Sequence, residues 1–171
     1  MRTKFYIMRH SYPDIVTDKD YYTLPGPPLS KLGRRIAEEA AGHFPAKPDI
    51  IYTSRFARAR QTAVIVSEKL DVPLHEMDEL MEIGRRETVR DVGARLKAAI
   101  SKFRPEDKLP LVVSHLAEIA SLLATDRTLV DIDSEHDISI ASIWAVDSDL
   151  HIENVWRPHI DDVYAEFRSN N

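Results

Sequence analysis

Short apolar runs alternate with amphipathic stretches through most of this chain, and that alternation narrows the folds it can adopt. Runs typical of buried strands cover residues 5–8, 49–53, 72–77 and 110–114. Stretches with apolar residues at helical spacing cover residues 30–42, 57–70, 89–103 and 116–124. Strands that alternate with helices form mainly parallel sheets with helices on both faces. We therefore predict an α/β fold, a three-layer α/β/α sandwich with a mostly parallel sheet.

The end of the chain follows a different pattern. Three β-rich runs close the predicted domain, at residues 138–143, 144–146 and 152–156. The intervening Asp147-Ser148-Asp149 is typical of a hairpin turn, so we expect at least one antiparallel edge in the sheet. These patterns predict a single domain over residues 1–156 and a polar C-terminal tail over residues 157–171.

Composition limits the class of protein. The 171 residues are 43% hydrophobic and 30% charged, which fits one globular domain with a sizeable core. No apolar run approaches the ~20 residues of a membrane span, and no secretory signal is recognisable. Because the chain has no cysteine, it has neither disulfides nor a thiolate nucleophile. We expect a cytoplasmic protein that binds no membrane. The net charge of −5 argues against a nucleic-acid partner, and nothing in the sequence indicates an oligomeric state.

Cationic or protonatable side chains follow three of the predicted strands. Arg9 and His10 come after the first strand, Arg58 begins the helix after the second, and His115 follows the strand over residues 110–114. The carboxyl ends of strands in an α/β sheet meet at one crevice, where ligands bind. Cations at a helix N-terminus are unfavourable unless an anion shares the site. We infer an anion site, although each arginine taken alone also fits an exposed helix surface.

A metal site is a second interpretation of the histidines. His10 and His115, with Asp14, offer ligand atoms for a divalent ion. Arginines beside such an ion would oppose its binding, and no spacing typical of a metal motif joins these residues. We therefore expect no metal and no other cofactor.

Four stretches of the chain match, in order, the motifs of one family. They are Met8-Arg9-His10; Leu29-Ser30-Lys31-Leu32-Gly33; the segment from Tyr52-Thr53-Ser54 to Arg58-Ala59-Arg60-Gln61-Thr62-Ala63; and Val112-Val113-Ser114-His115. On these motifs, which span most of residues 4–124, the chain resembles the histidine phosphatase superfamily, with its phosphoglycerate-mutase-like fold. It looks like a small member of that family.

The resemblance implies a role for each of four side chains. His10 would take the phosphoryl group as a phosphohistidine, and Arg9, Arg58 and His115 would hold the phosphoryl oxygens. Phosphoryl transfer depends on positioning and on stabilising charge spread over three oxygens, which suits this set. To attack, His10 must be neutral, with its other ring nitrogen donating to a fixed acceptor. His115 would work better protonated, so we expect a pH–rate profile with two limbs.

A proton donor for the leaving oxygen is also required. The resemblance suggests Glu82, in Leu80-Met81-Glu82, with Glu79 and Glu87 as rivals.

The walls of the pocket depart from the family pattern. Ser11 and Leu116 stand where glycines are usual, and Arg55-Phe56 replaces proline-leucine. A tyrosine- and proline-rich loop over residues 12–28 leaves the strand end that carries His10, so we expect it to form one wall. The expected substrate contacts are Ser11, Ser54, Arg55, Leu116 and Tyr22.

We predict a phosphomonoester hydrolase that acts without metal through a phosphohistidine, on a phosphorylated small molecule or a phosphoprotein. The segment between Glu82 and His115 is short, so little chain remains to close a lid over the intermediate that a mutase must retain. Two alternatives stay open. One is a 2,3-bisphosphoglycerate-dependent phosphoglycerate mutase, and the other is a catalytically weak phosphate-binding domain in which the altered glycines have removed activity.

Overall fold

Six strands form one mixed sheet at the centre of the molecule. The computed structural model describes residues 2–14, 20–124 and 127–159. The strands are β1 (Phe5–Arg9), β2 (Ile50–Thr53), β3 (Leu74–Glu76), β4 (Pro110–Ser114), β5 (Ile143–Val146) and β6 (Ile152–Trp156). Their spatial order is β3-β2-β4-β1-β5-β6. The first four in that order are parallel, whereas β5 pairs antiparallel with β1, and β6 pairs antiparallel with β5. The predicted fold class, with its antiparallel edge, is confirmed.

Helices cover both faces of the sheet. They are α1 (Lys31–Ala40), α2 (Ala57–Leu70), α3 (Val89–Ile100), α4 (Leu116–Leu123) and α5 (Leu129–His136), with a single 3-10 turn at Asp78–Leu80. Alternate residues of β1 face opposite sides, as a pleated strand requires. Phe5 and Ile7 join the core under α3, α4 and α5, while Tyr6 and Met8 join the core under α1 and α2. Burial on both faces explains why the β1 sequence is apolar without alternation.

The start of α1 is fixed against the segment that follows β1. Ser30 caps the helix, because its hydroxyl accepts from the Gly33 N–H at 3.0 Å and donates to the Tyr12 carbonyl at 3.2 Å. A Cβ at position 33 would lie 2.0 Å from the Tyr12 carbonyl oxygen. Only glycine permits this approach, which holds Ser11 and its neighbours against α1.

Most predicted elements are present, with small differences at their ends. The predicted bounds of α2 and β4 are confirmed, while α3 ends at Ile100 rather than at residue 103. The predicted strand over residues 72–77 is reduced to β3. A turn joins β5 to β6, where the Asp147 N–H donates to the His151 carbonyl at 3.1 Å.

The prediction of a strand over residues 138–143 is wrong. Residues 138–142 form a loop. Asp137 and Ala141, at and within this loop, have φ angles of 49° and 58°, in the left-handed region that strands avoid. The loop is tied to the end of β1 instead, because the Ala141 N–H donates to the His10 carbonyl at 3.2 Å. The α5 helix precedes the loop, where no helix was predicted.

Two further expectations concern the limits of the domain. No helix among the described residues is long and apolar enough to cross a bilayer. Most of the predicted tail, from residue 160 onward, and residues 15–19 of the loop over 12–28 lie outside the described residues. The single domain over residues 1–156 and the cytoplasmic location stay predictions.

Candidate active site

The carboxyl ends of β1, β2 and β4 bring their following residues together. His10 follows β1, Ser54 follows β2 and His115 follows β4, and all three are buried. The His10 N–H donates to the Ser114 carbonyl at 2.8 Å, which holds the two histidine segments side by side. The two imidazole rings lie 5.3 Å apart, edge to face. Convergence at one crevice follows from strand order, because β1 and β2 both pair with β4.

The two ring nitrogens of His10 have different partners. Its Nδ1 lies 2.8 Å from the Ser11 carbonyl oxygen, which only accepts, so Nδ1 carries the hydrogen. The Nε2 atom then has no hydrogen and can accept from the Tyr21 hydroxyl, 3.4 Å away. Burial lowers the pKa of His10 well below 6.5, and the charges of His115 and Arg58 lower it further. The ring is therefore neutral and oriented, as a nucleophile must be.

Arg58 is a fully buried cation in the first turn of α2. Its Nη2 donates to Glu82 Oε2 at 2.9 Å, and its Nη1 donates to the Tyr21 carbonyl at 3.1 Å. The guanidinium stacks 3.9 Å from the centroid of the Tyr21 ring and 4.6 Å from that of Phe56. Its Nε is buried and has no hydrogen-bond partner in the described part of the chain. A desolvated cation beside aromatic faces interacts strongly with an incoming anion.

Glu82 joins Arg58 to His115. The Glu82 Oε2 atom lies 2.9 Å from Arg58 Nη2 and 3.1 Å from His115 Nδ1, and Oε1 accepts from the Ile83 N–H at 3.1 Å. The His115 contact is an ion-pair distance without the alignment of a hydrogen bond. Burial raises the pKa of Glu82, but the charges of His115 and Arg58, with the hydrogen bond from Arg58, outweigh burial and hold that pKa far below 4.5. In the free site Glu82 is ionised.

His115 is neutral in the free site, although we expect its protonated form to act on phosphate. Burial lowers its pKa below 6.5, and the attraction of Glu82 offsets only part of that. Its Nε2 lies 2.9 Å from the Ser54 hydroxyl, which fixes the ring. A bound dianion would favour the charged form of a histidine beside it.

Arg9 forms the edge of the site toward the loop over residues 138–142. Its Nη1 donates to the Ile138 carbonyl at 2.5 Å, and its buried Nε has no hydrogen-bond partner among the described residues. Its charge also lowers the pKa of both His10 and His115.

The expected substrate contacts divide into two groups. Ser54 lies within the site, and the exposed Tyr22 packs 5.3 Å from Tyr21 at its mouth. Ser11 is buried and donates to the Gly33 carbonyl at 2.7 Å, away from the two histidines. Arg55 is exposed and pairs with Asp78 at 3.1 Å. Leu116 packs against the core under α3 and α4.

The rival carboxylates are engaged elsewhere. Glu79 pairs with Lys102, and Glu87 pairs with Arg95 at 2.7 Å. Among the described glutamates that we weighed as donors, Glu82 alone contacts both Arg58 and His115.

Two residues of the site were missed. Tyr21 lies under the Arg58 guanidinium, although its neighbour Tyr22 was the residue singled out. Glu118, fully buried in the first turn of α4, accepts from the His115 N–H at 3.3 Å. Its position three residues after an N-cap was a sequence signal for a capping box.

The same cluster offers ligand atoms for a metal. Donor atoms of His10, Glu82 and His115 lie within 4.8 Å of one another. Asp14, the third ligand of the metal hypothesis, is not in this group. Arg58 already pairs with the Glu82 oxygen at 2.9 Å, so a cation bound to that oxygen would be repelled by a fixed positive charge. The set suits an anion better than a metal.

Comparisons with known proteins agree with the fold and with the motifs described above. Residues 5–86 match the model of the histidine phosphatase superfamily (branch 1). The mycobacterial glucosyl-3-phosphoglycerate phosphatase is 22% identical with a TM-score of 0.69, over 90% of this chain and 98% of that one. YhfR of Bacillus stearothermophilus is 21% identical with a TM-score of 0.67, over 88% and 94%. No curated protein matches the chain by sequence. With its four motifs at one edge of a shared fold, the chain resembles the histidine phosphatase superfamily, whose model matches residues 5–86.

Proposed function

We propose that this protein hydrolyses phosphate monoesters through a phosphohistidine on His10, without a metal ion. One observation carries the proposal. The bare Nε2 of a buried, neutral His10 opens onto the same crevice as Arg58, Glu82 and His115. The mycobacterial phosphatase of similar fold has also been solved with inorganic phosphate, which supports phosphate as the group that this protein binds.

The reaction has two displacements. In the first, His10 Nε2 forms a bond to phosphorus while the ester P–O bond breaks and the leaving oxygen takes a proton. In the second, water attacks phosphorus, the P–N bond breaks, and inorganic phosphate leaves with His10 restored. The Nδ1–H contact to the Ser11 carbonyl, at 2.8 Å, stabilises the cationic ring formed in between.

Arg9, Arg58 and His115 hold the phosphoryl oxygens in this proposal. Arg58 supplies a rigid, fully buried charge, and Arg9 closes the opposite edge. Charged donors that are already in place cost no reorganisation when the transition state forms. Their hydrogen bonds to oxygen are also the stronger, charge-assisted kind.

Glu82 is the proposed proton donor to the leaving oxygen and the base for water in the second step. Its pKa is low in the free site because it pairs with Arg58 and His115. A bound phosphate dianion competes for the same two partners, so the Glu82 pKa rises when substrate enters. Protonated Glu82 then serves the first step, and the carboxylate that results serves the second.

The test compares His10→Ala with the parent on p-nitrophenyl phosphate in EDTA. We expect the substitution to lower kcat by at least about 10³-fold and to abolish acid-labile phosphate labelling, because the nucleophile is gone. His151→Ala, on the exposed β5–β6 turn, is the matched control and should retain activity.

Four outcomes oppose parts of the proposal. Parental turnover by His10→Ala would exclude the nucleophile, and a requirement for an added divalent ion would exclude the metal-free scheme. Faster transfer between positions of phosphoglycerate than release of phosphate, primed by 2,3-bisphosphoglycerate, would identify a mutase. Phosphate binding without turnover would identify a binding domain.

A further inference from the structure

A second cavity is lined by Arg9, the residue that precedes His10. Its volume is about 540 Å³, a size typical of small-molecule sites. Polar side chains from the segment after β1, from α5 and from the following loop line it: Arg9, Tyr12, Asp133, Ser134, Asp137 and Ser139.

Hydrogen bonds fix the position of the cavity relative to His10. The loop over residues 138–142 is bonded to the end of β1 through Ala141 N–H to the His10 carbonyl, at 3.2 Å, and Arg9 N–H to the Ser142 carbonyl, at 3.1 Å. Arg9 also donates to the Ile138 carbonyl at 2.5 Å. Arg9 lines this cavity and is also one of the proposed phosphate-binding residues. A phosphate held by Arg9 can therefore place its ester group in the cavity.

A buried hydroxyl in the cavity lacks a partner. Ser139 is 8% exposed, and its Oγ makes no hydrogen bond within the described ranges of the chain. A buried hydroxyl left in this way loses its hydration without compensation, so native proteins rarely keep one unless a ligand or water satisfies it. Ser139 lines the cavity, so the satisfying group comes from there.

The charge of the cavity selects the kind of ligand. Asp137 is paired with Arg157 at 2.6 Å, and Asp133 Oδ1 accepts from the Ile138 N–H at 3.0 Å. Asp133 has no cationic partner among the residues described. Once Arg9 is engaged by phosphate, the lining offers hydroxyl groups and one carboxylate without a cationic partner among the described residues. Ligand hydroxyls satisfy such a set, whereas a second anionic group meets repulsion.

We propose that this cavity binds the leaving group of the substrate, and that this group is a neutral polyol or sugar rather than one bearing a second negative charge. The inference rests on the proposed function, since it treats the phosphoryl group as bound at His10. It adds the chemical class of the alcohol that is released.

Three esters of equal chain length test the preference. Propyl phosphate, glycerol 1-phosphate and 3-phosphoglycerate each carry a primary phosphate on three carbons. The first has no other polar group, the second has two hydroxyls, and the third has one hydroxyl and a carboxylate. We expect kcat/KM for glycerol 1-phosphate to exceed that for each of the other two by about tenfold, the effect of one or two hydrogen bonds. Equal values for the propyl and glycerol esters, or a preference for 3-phosphoglycerate, would overturn the inference.

Two substitutions assign the preference to the cavity. Ser139→Ala removes the unpartnered hydroxyl, and Asp133→Asn removes the charge while its amide oxygen still accepts from the Ile138 N–H. Each should reduce the glycerol-to-propyl ratio by about threefold or more, and Asp133→Asn should also raise relative activity on 3-phosphoglycerate. Ser148→Ala and Asp149→Asn, on the exposed β5–β6 turn, are matched controls. Unchanged ratios in both cavity variants would contradict the assignment.

Calorimetric binding to His10→Ala separates the two proposals. Tighter binding of glycerol 1-phosphate than of propyl phosphate or 3-phosphoglycerate supports the cavity inference whether or not the parent turns over. Equal affinities refute it. Turnover that depends on His10 but shows no preference among the esters leaves the proposed function intact and removes only the inference.

Discussion

Replacing Glu118 with glutamine should remove a large part of the pH dependence of folding. Glu118 is fully buried in the first turn of α4, where Oε2 accepts from the His115 N–H at 3.3 Å. Its Oε1 lies 3.8 Å from Arg95 Nη1, too far for a hydrogen bond, and has no other polar partner among the described residues. Burial, and then the charge of Glu82, raise the pKa of Glu118 to about 8, which Arg95 only partly offsets.

The magnitude follows from the difference between folded and unfolded pKa. The unfolded chain releases this proton near pH 4.5, whereas the folded chain keeps it to about pH 8. The folded state binds more protons in that interval, so the free energy of unfolding falls as pH rises through it. At about 1.4 kcal/mol per pH unit, the loss between pH 6.5 and 8 is about 2 kcal/mol. Starting at pH 6.5 limits the effect of His10 and His115 on the measured slope. Burial lowers their pKa values, so their titration reduces the free energy of unfolding mainly as the pH falls below 6.5.

Urea unfolding at pH 6.5, 7.0, 7.5 and 8.0 measures this slope. In Glu118→Gln the slope should be flatter by about 2 kcal/mol over the range, because glutamine keeps the acceptor for the His115 N–H but cannot ionise. Glu135→Gln is the control, since Arg127 holds the pKa of that exposed carboxyl below 4.5 and it stays ionised throughout. Parallel curves for the parent and Glu118→Gln would refute the reasoning.

The remaining predictions concern the site directly. In a titration of kcat/KM against pH, the acid limb should lie below pH 6.5, because burial lowers the pKa of His10 and keeps the ring neutral to lower pH. An acid limb above pH 6.5 would contradict this. Gly26→Ala should reduce the free energy of unfolding by about 1 kcal/mol, measured by thermal unfolding, because φ is +69° at this position. It should also lower kcat, because the new Cβ would lie 2.9 Å from Arg58 Nη1 and displace that group. Ser54→Ala should lower kcat by about tenfold with folding intact, because the hydroxyl 2.9 Å from His115 Nε2 fixes that ring; parental kcat would exclude a positioning role.

Elements with a strong local pattern were predictable from the sequence. Apolar residues at helical spacing, followed by a proline, gave α2 its predicted bounds, and a short apolar run gave those of β4. Both patterns reflect burial that each segment achieves against the sheet. Local spacing carries that information, so no knowledge of distant contacts was needed.

The region from α5 to β5 was not predictable in the same way. Within α5 only Ile132 is buried, so the helix lacks the apolar face that the sequence would reveal. The next run, residues 138–142, is apolar because Ile138 and Ala141 are buried, yet its backbone pairs with the end of β1 rather than within a strand. Tertiary contacts decided the conformation there, and local propensity did not.

The motifs predicted which residues meet but not how they are connected. Their order along the chain predicted that His10, Arg58 and His115 would share an edge of the sheet. The stacking of Tyr21 on Arg58 and the pairing of Glu82 with Arg58 depend on loop paths. No spacing in a single sequence encodes those paths.

The protonation states of the site are coupled to the binding of an anion. Arg58 is fully buried, and the carboxylate that neutralises it, Glu82, is also the proposed proton donor. A phosphate dianion that enters this space replaces Glu82 as the partner of Arg58, and it favours protonation of both Glu82 and His115. Substrate binding therefore produces the protonation states that the first displacement needs. The low pKa of Glu82 in the free site is thus compatible with its role as an acid, because the group that releases it is the substrate itself.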